Sequence, residues 1–369
     1  MSKTSDNISQ LSIINGTDWH DTQGKLIAAH EGDIARFNGV FYWYGSSYAN
    51  NPKGMFDIAD GAVWNGVQVY RSTDLKNWEY KGGALPRPEN GWGKLGATGR
   101  SHVMYNEKTK KYVMWYRWYL HVPASFLMVA VADHPEGPFT SLGPREMGTP
   151  NGFASDMNVF KDDDGKAYVI YCDHGDHGVR GGKSTYAIRI DSLTDDYLTS
   201  NKDGAYAFDK GVEAPAMVKY KGKYIAVGSG VHGWAGTDTV CSVADSPLGQ
   251  YKRQEDISEK KTWNSQVTDL IYLEESDIVM ALCDQWWIPE KIIFVDDKLH
   301  NLKNVYKAIE NSKTKLVSFY FGGKNIKKEM GQDEVDKAIE ANNWIRDALK
   351  RFFMPRYSYL TSPQPECLY

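Results

Sequence analysis

The segment DDDGKAYVIYCD, residues 162–173, combines a polar turn with an apolar, Tyr-rich strand. Four other segments have the same order: FNGVFYWYGSS (37–47), NEKTKKYVMWYRW (106–118), YKGKYIAVGSG (220–230) and LEESDIVMALCDQW (273–286). Asn-Gly, Asp-Gly or Lys-Gly stands at three of the five turns, and such dipeptides are typical of tight β-hairpins. Each copy therefore predicts two antiparallel strands joined by a short turn.

A second element follows most copies and consists of an alternating strand, a turn that contains Asp, and an aromatic residue that begins another strand. It occurs in VQVYRSTDLKNWEY (67–80), FLMVAVADHPEGPFT (126–140), STYAIRIDSLTDDYL (184–198) and DTVCSVADSPLGQY (238–251). A period of roughly 50 to 70 residues with about four strands is typical of a propeller blade. The sequence predicts an all-β, five-bladed β-propeller, because two unrelated sandwiches would not produce so regular an alternation.

The repeating pattern of strands and turns ends near residue 300. The stretch EVDKAIEANNWIRDALKRFF (334–353) places apolar residues along one helical stripe, with charged residues elsewhere. We expect an N-terminal tail over 1–17, the propeller over 18–298, and a helical insertion or appendage over 299–369. The final stretch MPRYSYLTSP (354–363) is a candidate for a strand that closes the ring.

Composition excludes several classes of partner. The 12 Trp, 23 Tyr and 34 Gly suit short strands, tight turns and sugar-binding surfaces, and the net charge of −4 comes without a basic stripe. We expect a carbohydrate substrate, no nucleic acid and no membrane partner. The four Cys are far apart and the sequence offers no dedicated ligand set for a structural cation in the channel, so we expect no cofactor and no metal. The polar N-terminus lacks a signal-like apolar run, which predicts a cytoplasmic protein or a mature secreted one.

Acidic residues precede three of the predicted inner strands. They are Glu31 or Asp33 in AAHEGDIARFNG, Asp156 in GFASDMNVFKDDDG, and Glu213 in GVEAPAMVKYKG. Equivalent positions of successive blades converge on the propeller axis, so these carboxylates can face one pocket. Two carboxylates across a sugar are the minimum equipment for glycoside hydrolysis. Spacing alone does not separate Glu31 from Asp33, because both lie on the same face of a strand.

The motifs SDMNVFKDDDGKAYVIY and EAPAMVKYKGKYIAV resemble blade starts of glycoside hydrolase family 43, and the resemblance extends from about 18 to 290. That family has a five-bladed β-propeller fold and inverts the anomeric configuration. The resemblance implies that Glu213 is the general acid, that Asp156 orients this acid and tunes its pKa, and that Glu31 is at the position of the base.

The chain is most similar to the exo-β-1,3-galactanase branch, through YWYG, YRSTDLKNWEYKGGAL and NSQVTDL. In that branch a Gln of the fifth blade has been assigned the role of base, which makes Gln266 an alternative to Glu31. Two positions differ from the branch. Glu31 stands where the branch has Gly, and Gly99 stands where it has a substrate-contacting Glu.

Residues near the predicted blade ends complete the candidate site. The candidates for substrate binding are His30, Asp33, Arg100, His102, Trp234, Asp284 and Trp286. The first hypothesis is an exo-acting, inverting hydrolase of β-linked galactan side chains or a related plant polysaccharide. The alternatives are an α-L-arabinofuranosidase or β-xylosidase with the same fold, and a carbohydrate-binding propeller without catalysis.

Overall fold

The computed structural model describes most of the first 284 residues and two short segments beyond them. The described ranges are 12–14, 19–48, 64–87, 97–121, 124–149, 154–175, 184–232, 237–254, 256–258, 261–262, 265–274, 277–284, 292–296 and 318–320. Within them the chain is almost entirely β-strand. No helix in these ranges is long and apolar enough to cross a membrane.

Most of the strands belong to four-stranded antiparallel units in which neighbours along the chain also pair in space. After β1 (Ser12–Ile14), the first unit holds β2 (His30–Phe37), β3 (Val40–Ser46), β4 (Val67–Ser72) and β5 (Glu79–Leu85). The second holds β6 (Ala97–Asn106), β7 (Lys111–His121), β8 (Ala124–Ala132) and β9 (Thr140–Pro144). The third holds β10 (Ala154–Lys161), β11 (Ala167–Gly175), β12 (Ser184–Ser192) and β13 (Ala205–Phe208).

Two further units complete the series. The fourth holds β14 (Val212–Tyr220), β15 (Lys223–Gly230), β16 (Thr239–Ala244) and β17 (Lys252–Arg253). The fifth has three described strands, β18 (Gln266–Leu273), β19 (Ile278–Asp284) and β20 (Ile292–Asp296). A last strand, β21 (Ser318–Tyr320), pairs with β1 in a separate two-stranded sheet. The prediction of five blades with the inner hairpins at the five quoted segments is confirmed.

Turn chemistry explains the shortest of these hairpins. Asn38 and Gly39 have φ of 51° and 81°, and Lys221 and Gly222 have φ of 48° and 74°. Two consecutive residues with positive φ form the turn whose twist matches that of paired strands. The Asn-Gly and Lys-Gly dipeptides therefore set the strand register within the first and fourth blades.

Five buried hydrophobic clusters lie between the blades, one at each junction. The clusters join blades 1 and 2, 2 and 3, 3 and 4, 4 and 5, and 5 and 1. At the last junction Ile34 and Phe41 of blade 1 pack in one cluster with Ile271 and Met280 of blade 5. Burial of apolar surface between the first and last blades thus closes the ring and stabilises it.

Tryptophan side chains supply the largest pieces of this core. The described ones are all buried: Trp19, Trp43, Trp64, Trp78, Trp115 and Trp118. Trp115 lies between blades 2 and 3, and its indole N–H donates to the Tyr197 carbonyl oxygen at 2.8 Å. It therefore combines a large apolar area with a satisfied polar atom.

We expect Trp115→Ala to lower the free energy of unfolding by about 4 kcal/mol, because it leaves a cavity and an unpaired carbonyl. Chemical denaturation with fluorescence detection measures this loss. Phe126→Ala is the matched control, since Phe126 is 46% exposed, and we expect it to cost less than about 1 kcal/mol. Equal losses for the two variants would contradict the inference that Trp115 stabilises the junction between blades 2 and 3.

The predicted boundaries at 17 and 298 stay predictions. Strand β1 lies inside the predicted tail, and β21 lies inside the predicted C-terminal segment. The predicted helix over 334–353 and the candidate ring-closing strand over 354–363 lie outside the described residues.

Candidate active site

All five inner strands have an irregular register close to their first residues. The irregularities lie at His30/Asp33, Gly99/His102, Ala154/Met157, Glu213/Ala216 and Val267/Asp269. Left-handed backbone accompanies three of them, at Glu31 (φ 53°), Arg100 (φ 53°) and Ala214 (φ 52°). Bulges redirect side chains, and strained conformations are retained where a site requires them. The irregular positions lie at one end of the channel and form the candidate active site.

Arg100 joins the blades at the centre of this site. Its guanidinium donates to the Val267 carbonyl at 3.0 Å and to Gln266 Oε1 at 2.9 Å. Its Nε lies 3.7 Å from Glu31 Oε2, and its Nη2 lies 3.9 Å from Asp156 Oδ2. The side chain is only 1% exposed, so two carboxylates compensate its buried charge. The sequence prediction placed Arg100 among the sugar-binding residues, and the structure brings it together with Glu31, Asp156 and Gln266.

Gln266 connects Arg100 to the predicted general acid. The Gln266 amide nitrogen donates to Glu213 Oε1 at 3.3 Å and to Ser229 Oγ at 2.8 Å. Its amide oxygen accepts from Arg100. Both ends of the amide are therefore engaged, which defines its orientation. The structure thus places the two predicted residues, Glu213 and Gln266, in direct contact, and both are buried.

Asp156 is held as an anion beside the same acid. Burial raises the pKa of its carboxyl, but Arg100 and Arg117 outweigh burial and hold the pKa below its usual range. Arg117 Nη1 donates to Asp156 Oδ1 at 2.5 Å. The carboxylate also accepts a hydrogen bond from the backbone N–H of Ala214, the residue that follows Glu213. Asp156 thus stabilises the left-handed backbone that presents Glu213.

A second buried layer follows on the same strands, nearer the hairpin end of the channel, and it contains Asp33, His102, Asn158 and Asp269. Asp33 Oδ2 lies 3.8 Å from His102 Nδ1, and Asn158 Nδ2 donates to Asp269 Oδ1 at 2.9 Å. Burial raises the pKa of Asp269 to about 6 and, together with Asp269, raises that of Asp33. Burial and Arg100 lower the pKa of His102 to about 3, so its imidazole is neutral.

These shifts predict a pH-dependent stability. The folded pKa of Asp269 lies above the usual value of 3.8, so the folded state keeps a proton that the unfolded state loses between pH 4 and 6. The free energy of unfolding should fall over that window by about 3 kcal/mol and then level off. Asp33 has the same sign, whereas Asp156, with a lowered pKa, acts below pH 4.

Comparison of wild type with Asp269→Asn isolates this contribution. We expect the difference in melting temperature between the two proteins to change between pH 4 and 6 in favour of the variant and to be constant above pH 7. Asn158 can turn its amide oxygen, which has no partner in the described structure, towards the new amide. Parallel pH curves would show that Asp269 has an ordinary pKa.

The structure describes only some of the remaining predicted sugar-binding residues. His30 is half-buried opposite Ser46 and lies with its ring 5.8 Å from the Tyr48 ring. The backbone of Asp284 pairs with Gln266, while its side chain lies outside the described atoms. Trp234 and Trp286 also lie outside the described residues.

Sequence reasoning missed four residues that organise the site: Arg117, Ser229, Asn158 and Asp269. Arg117 and Asp269 are charged residues inside strands of largely apolar or aromatic side chains, as in YVMWYRW and VTDLIYL. A polar residue within an apolar strand indicates a buried polar partner, because burial of an unpaired polar group costs free energy. In the part of the chain that the structure covers, no three His, Cys, Asp or Glu side chains are grouped as metal ligands.

Comparison with solved structures finds the same architecture in enzymes that act on galactosides. A GH43 β-1,3-galactosidase is 25% identical with a TM-score of 0.67, and 78% of this chain aligns with 60% of that one. A second, solved with galactodeoxynojirimycin, is 28% identical with a TM-score of 0.65, covering 77% of this chain and 94% of that one. The exo-β-1,3-galactanase of Phanerochaete chrysosporium, solved with galactose, is 27% identical with a TM-score of 0.67, covering 78% and 64%.

The chain therefore spans less than two thirds of the length of the first and third of these structures. No curated protein matches the sequence. A family model described as a protein of unknown function (DUF2608) matches residues 277–350. The model of glycosyl hydrolases family 43 matches residues 27–289, well over half of the sequence, and the chain belongs to this family.

Proposed function

We propose that the protein is an exo-acting, inverting hydrolase that releases galactose from β-1,3-linked galactan side chains or a related plant polysaccharide. The observation that supports this most is the convergence of Glu31, Asp156 and Glu213, from three different blades, around Arg100 and Gln266. Three carboxyls at one end of the channel provide an acid, a base and a residue that positions the acid.

Glu213 is the proton donor in this proposal. Asp156 is paired with two guanidinium groups that hold its pKa below its usual range, so this carboxyl stays ionised and is not the donor. Glu213 accepts a hydrogen bond from the Gln266 amide and stands at the position of the family's general acid in the motif EAPAMVKYKGKYIAV. It transfers its proton to the glycosidic oxygen as the bond to the anomeric carbon breaks.

Glu31 is the base in this proposal, and Gln266 is the alternative candidate for that role. The acid and base of an inverting enzyme stand about 6.5 to 9.5 Å apart, so that a water molecule fits opposite the leaving group. Gln266 contacts Glu213 at 3.3 Å, and its only acceptor atom already binds Arg100. Glu31 contacts the same guanidinium through Nε, and both of its carboxylate oxygens can accept a proton. It takes a proton from the water whose oxygen attacks the anomeric carbon.

The choice of galactose rests on the solved relatives. They are named β-1,3-galactosidases and exo-β-1,3-galactanase, and the Phanerochaete chrysosporium enzyme has also been solved with β-1,3-galactotriose.

A substrate panel with product analysis tests the proposal. The panel contains β-1,3-galactan, arabinogalactan, and aryl β-galactoside, α-L-arabinofuranoside and β-xyloside. We expect release of galactose from β-1,3-galactan, with α-galactose as the first anomer seen by NMR. Turnover of the arabinofuranoside or xyloside alone would overturn the sugar assignment, and β-galactose as first product would overturn inversion. Binding of galactan without any turnover would indicate a carbohydrate-binding propeller.

A further inference from the structure

The space beside Gly99 is occupied by a side chain from another blade. A Cβ atom built on Gly99 would lie 2.3 Å from Glu31 Oε2, 3.0 Å from its Cδ and 3.4 Å from its Oε1. These three atoms of the Glu31 carboxyl are the nearest to that position. Real Cβ atoms do not approach other atoms to 2.3 Å, so no residue larger than Gly can stand at 99 while Glu31 keeps its present place.

The backbone of Gly99 does not itself require glycine. The residues with positive φ include Glu31 and Arg100, and Gly99 is not among them. An L residue is therefore compatible with the local conformation, and the obstacle is the carboxyl of Glu31. Gly32 offers a contrast, because its Cβ would lie 1.5 Å from the backbone oxygen of Tyr44, which cannot move aside.

The pairing of the first two blades holds Glu31 and Gly99 against each other. Strands β2 and β6 meet at a single parallel bridge between Gly32 and Ser101, and each of these residues lies within the bulge of its own strand. Glu31 is 3% exposed, and its carboxyl contacts Arg100 and fills the space beside Gly99. A methyl group at 99 therefore requires the Glu31 carboxyl, which is the end of a flexible side chain, to move from its present place.

The structure assigns Gly99 as the positioning residue for Glu31: the carboxylate reaches the site because residue 99 has no side chain, and a carboxylate carried by residue 99 would occupy the same place. The inference rests on the proposed function, in which Glu31 acts on the substrate. Asp is the residue whose carboxyl is attached directly to Cβ, so its oxygen falls into the volume that Glu31 Oε2 now fills. Gly99 thereby decides from which blade the carboxylate comes.

The test is a double-mutant cycle on aryl β-galactoside and β-1,3-galactan. We expect G99A to lower kcat/KM about 100-fold, because the displaced carboxylate no longer faces the substrate. The melting temperature is measured beside it, since displacement of Glu31 alters a partner of buried Arg100. G83A is the matched control, since Gly83 has no neighbour within 4 Å of a built Cβ and no positive φ, and it should retain wild-type activity. The double variant E31G/G99A should be no less active than E31G, because residue 99 acts through Glu31.

Relocation of the carboxylate is the rescue. We expect E31G/G99D to be at least about tenfold more active than E31G, and E31G/G99N to give no gain. Wild-type activity in G99A, losses that multiply in the double variant, or equal activities of the Asp and Asn variants would each overturn the inference. If the wild type hydrolyses no glycoside, the proposed function fails and crystal structures decide the inference separately. G99A should then show the Glu31 carboxyl displaced from Arg100, and an unmoved carboxyl would refute the assignment.

Discussion

Glu213→Gln is expected to abolish hydrolysis of the natural polysaccharide. The amide cannot donate the proton that a sugar leaving group needs, and loss of a general acid costs about 1,000-fold in rate. A 2,4-dinitrophenyl galactoside leaves without protonation, so we expect its hydrolysis to fall only about tenfold. Gln is close to Glu in shape and retains an acceptor for the Gln266 amide, so the fold should be unaffected. Initial rates on the two substrates measure the separation.

Glu146→Gln is the matched control for this variant, because the Glu146 side chain is 89% exposed and pairs with Lys202 at the surface. It should hydrolyse both substrates at the wild-type rate. A Glu213→Gln protein that still degrades β-1,3-galactan would refute the role of Glu213. Equal losses on the two substrates would point to a binding role, since protonation of the leaving group affects the poor leaving group more.

Glu31→Gln and Gln266→Ala are expected to differ strongly. If Glu31 activates the water, Glu31→Gln lowers kcat by about 1,000-fold, and the acidic limb of the pH profile is lost. Gln266→Ala should cost about tenfold, because it removes an orienting amide next to Glu213 and leaves both carboxyls in place. Steady-state kinetics between pH 4 and 9 on an aryl galactoside compare the two.

Rescue by azide is an independent test of whether Glu31 or Gln266 is the base. A small anionic nucleophile can replace the activated water, so we expect azide to restore turnover of Glu31→Ala and to form a galactosyl azide of inverted configuration. The reverse pattern, with the larger loss and the azide rescue in the Gln266 variant, would transfer the base role to Gln266. Circular dichroism and melting temperature of the Glu31 and Gln266 variants check that they are folded, because each variant alters the partners of buried Arg100.

The fold was accessible from sequence because its signals are local. Alternation of apolar and polar residues marks each hairpin within about ten residues, and Asn-Gly, Asp-Gly or Lys-Gly stands at three of the five turns. The repeat then sets the number of blades without any knowledge of their contacts. The closure of the ring by Ile34 and Phe41 against Ile271 and Met280 is a consequence of that count.

The candidate site was accessible in part. Glu213, Asp156 and Glu31 stand at equivalent blade starts, so the repeat and the family pattern single them out. Arg117 was missed because a charged residue within an aromatic strand does not reveal its partner. The sequence also grouped Asp33 and His102 with Glu31 and Arg100, whereas the structure places them in the next layer of the channel, in contact with each other.

The sequence by itself determined the blades, their order and the three acids, since each follows from neighbouring residues or from a repeat along the chain. Only the tertiary structure decided the bond from Arg100 to Gln266, 166 residues away, the charge states of Asp156 and Asp269, and the space that Gly99 leaves for Glu31. A strand pattern states which face a side chain occupies. Which groups meet there, and how much water they lose, depends on distances between blades that are set when the ring closes.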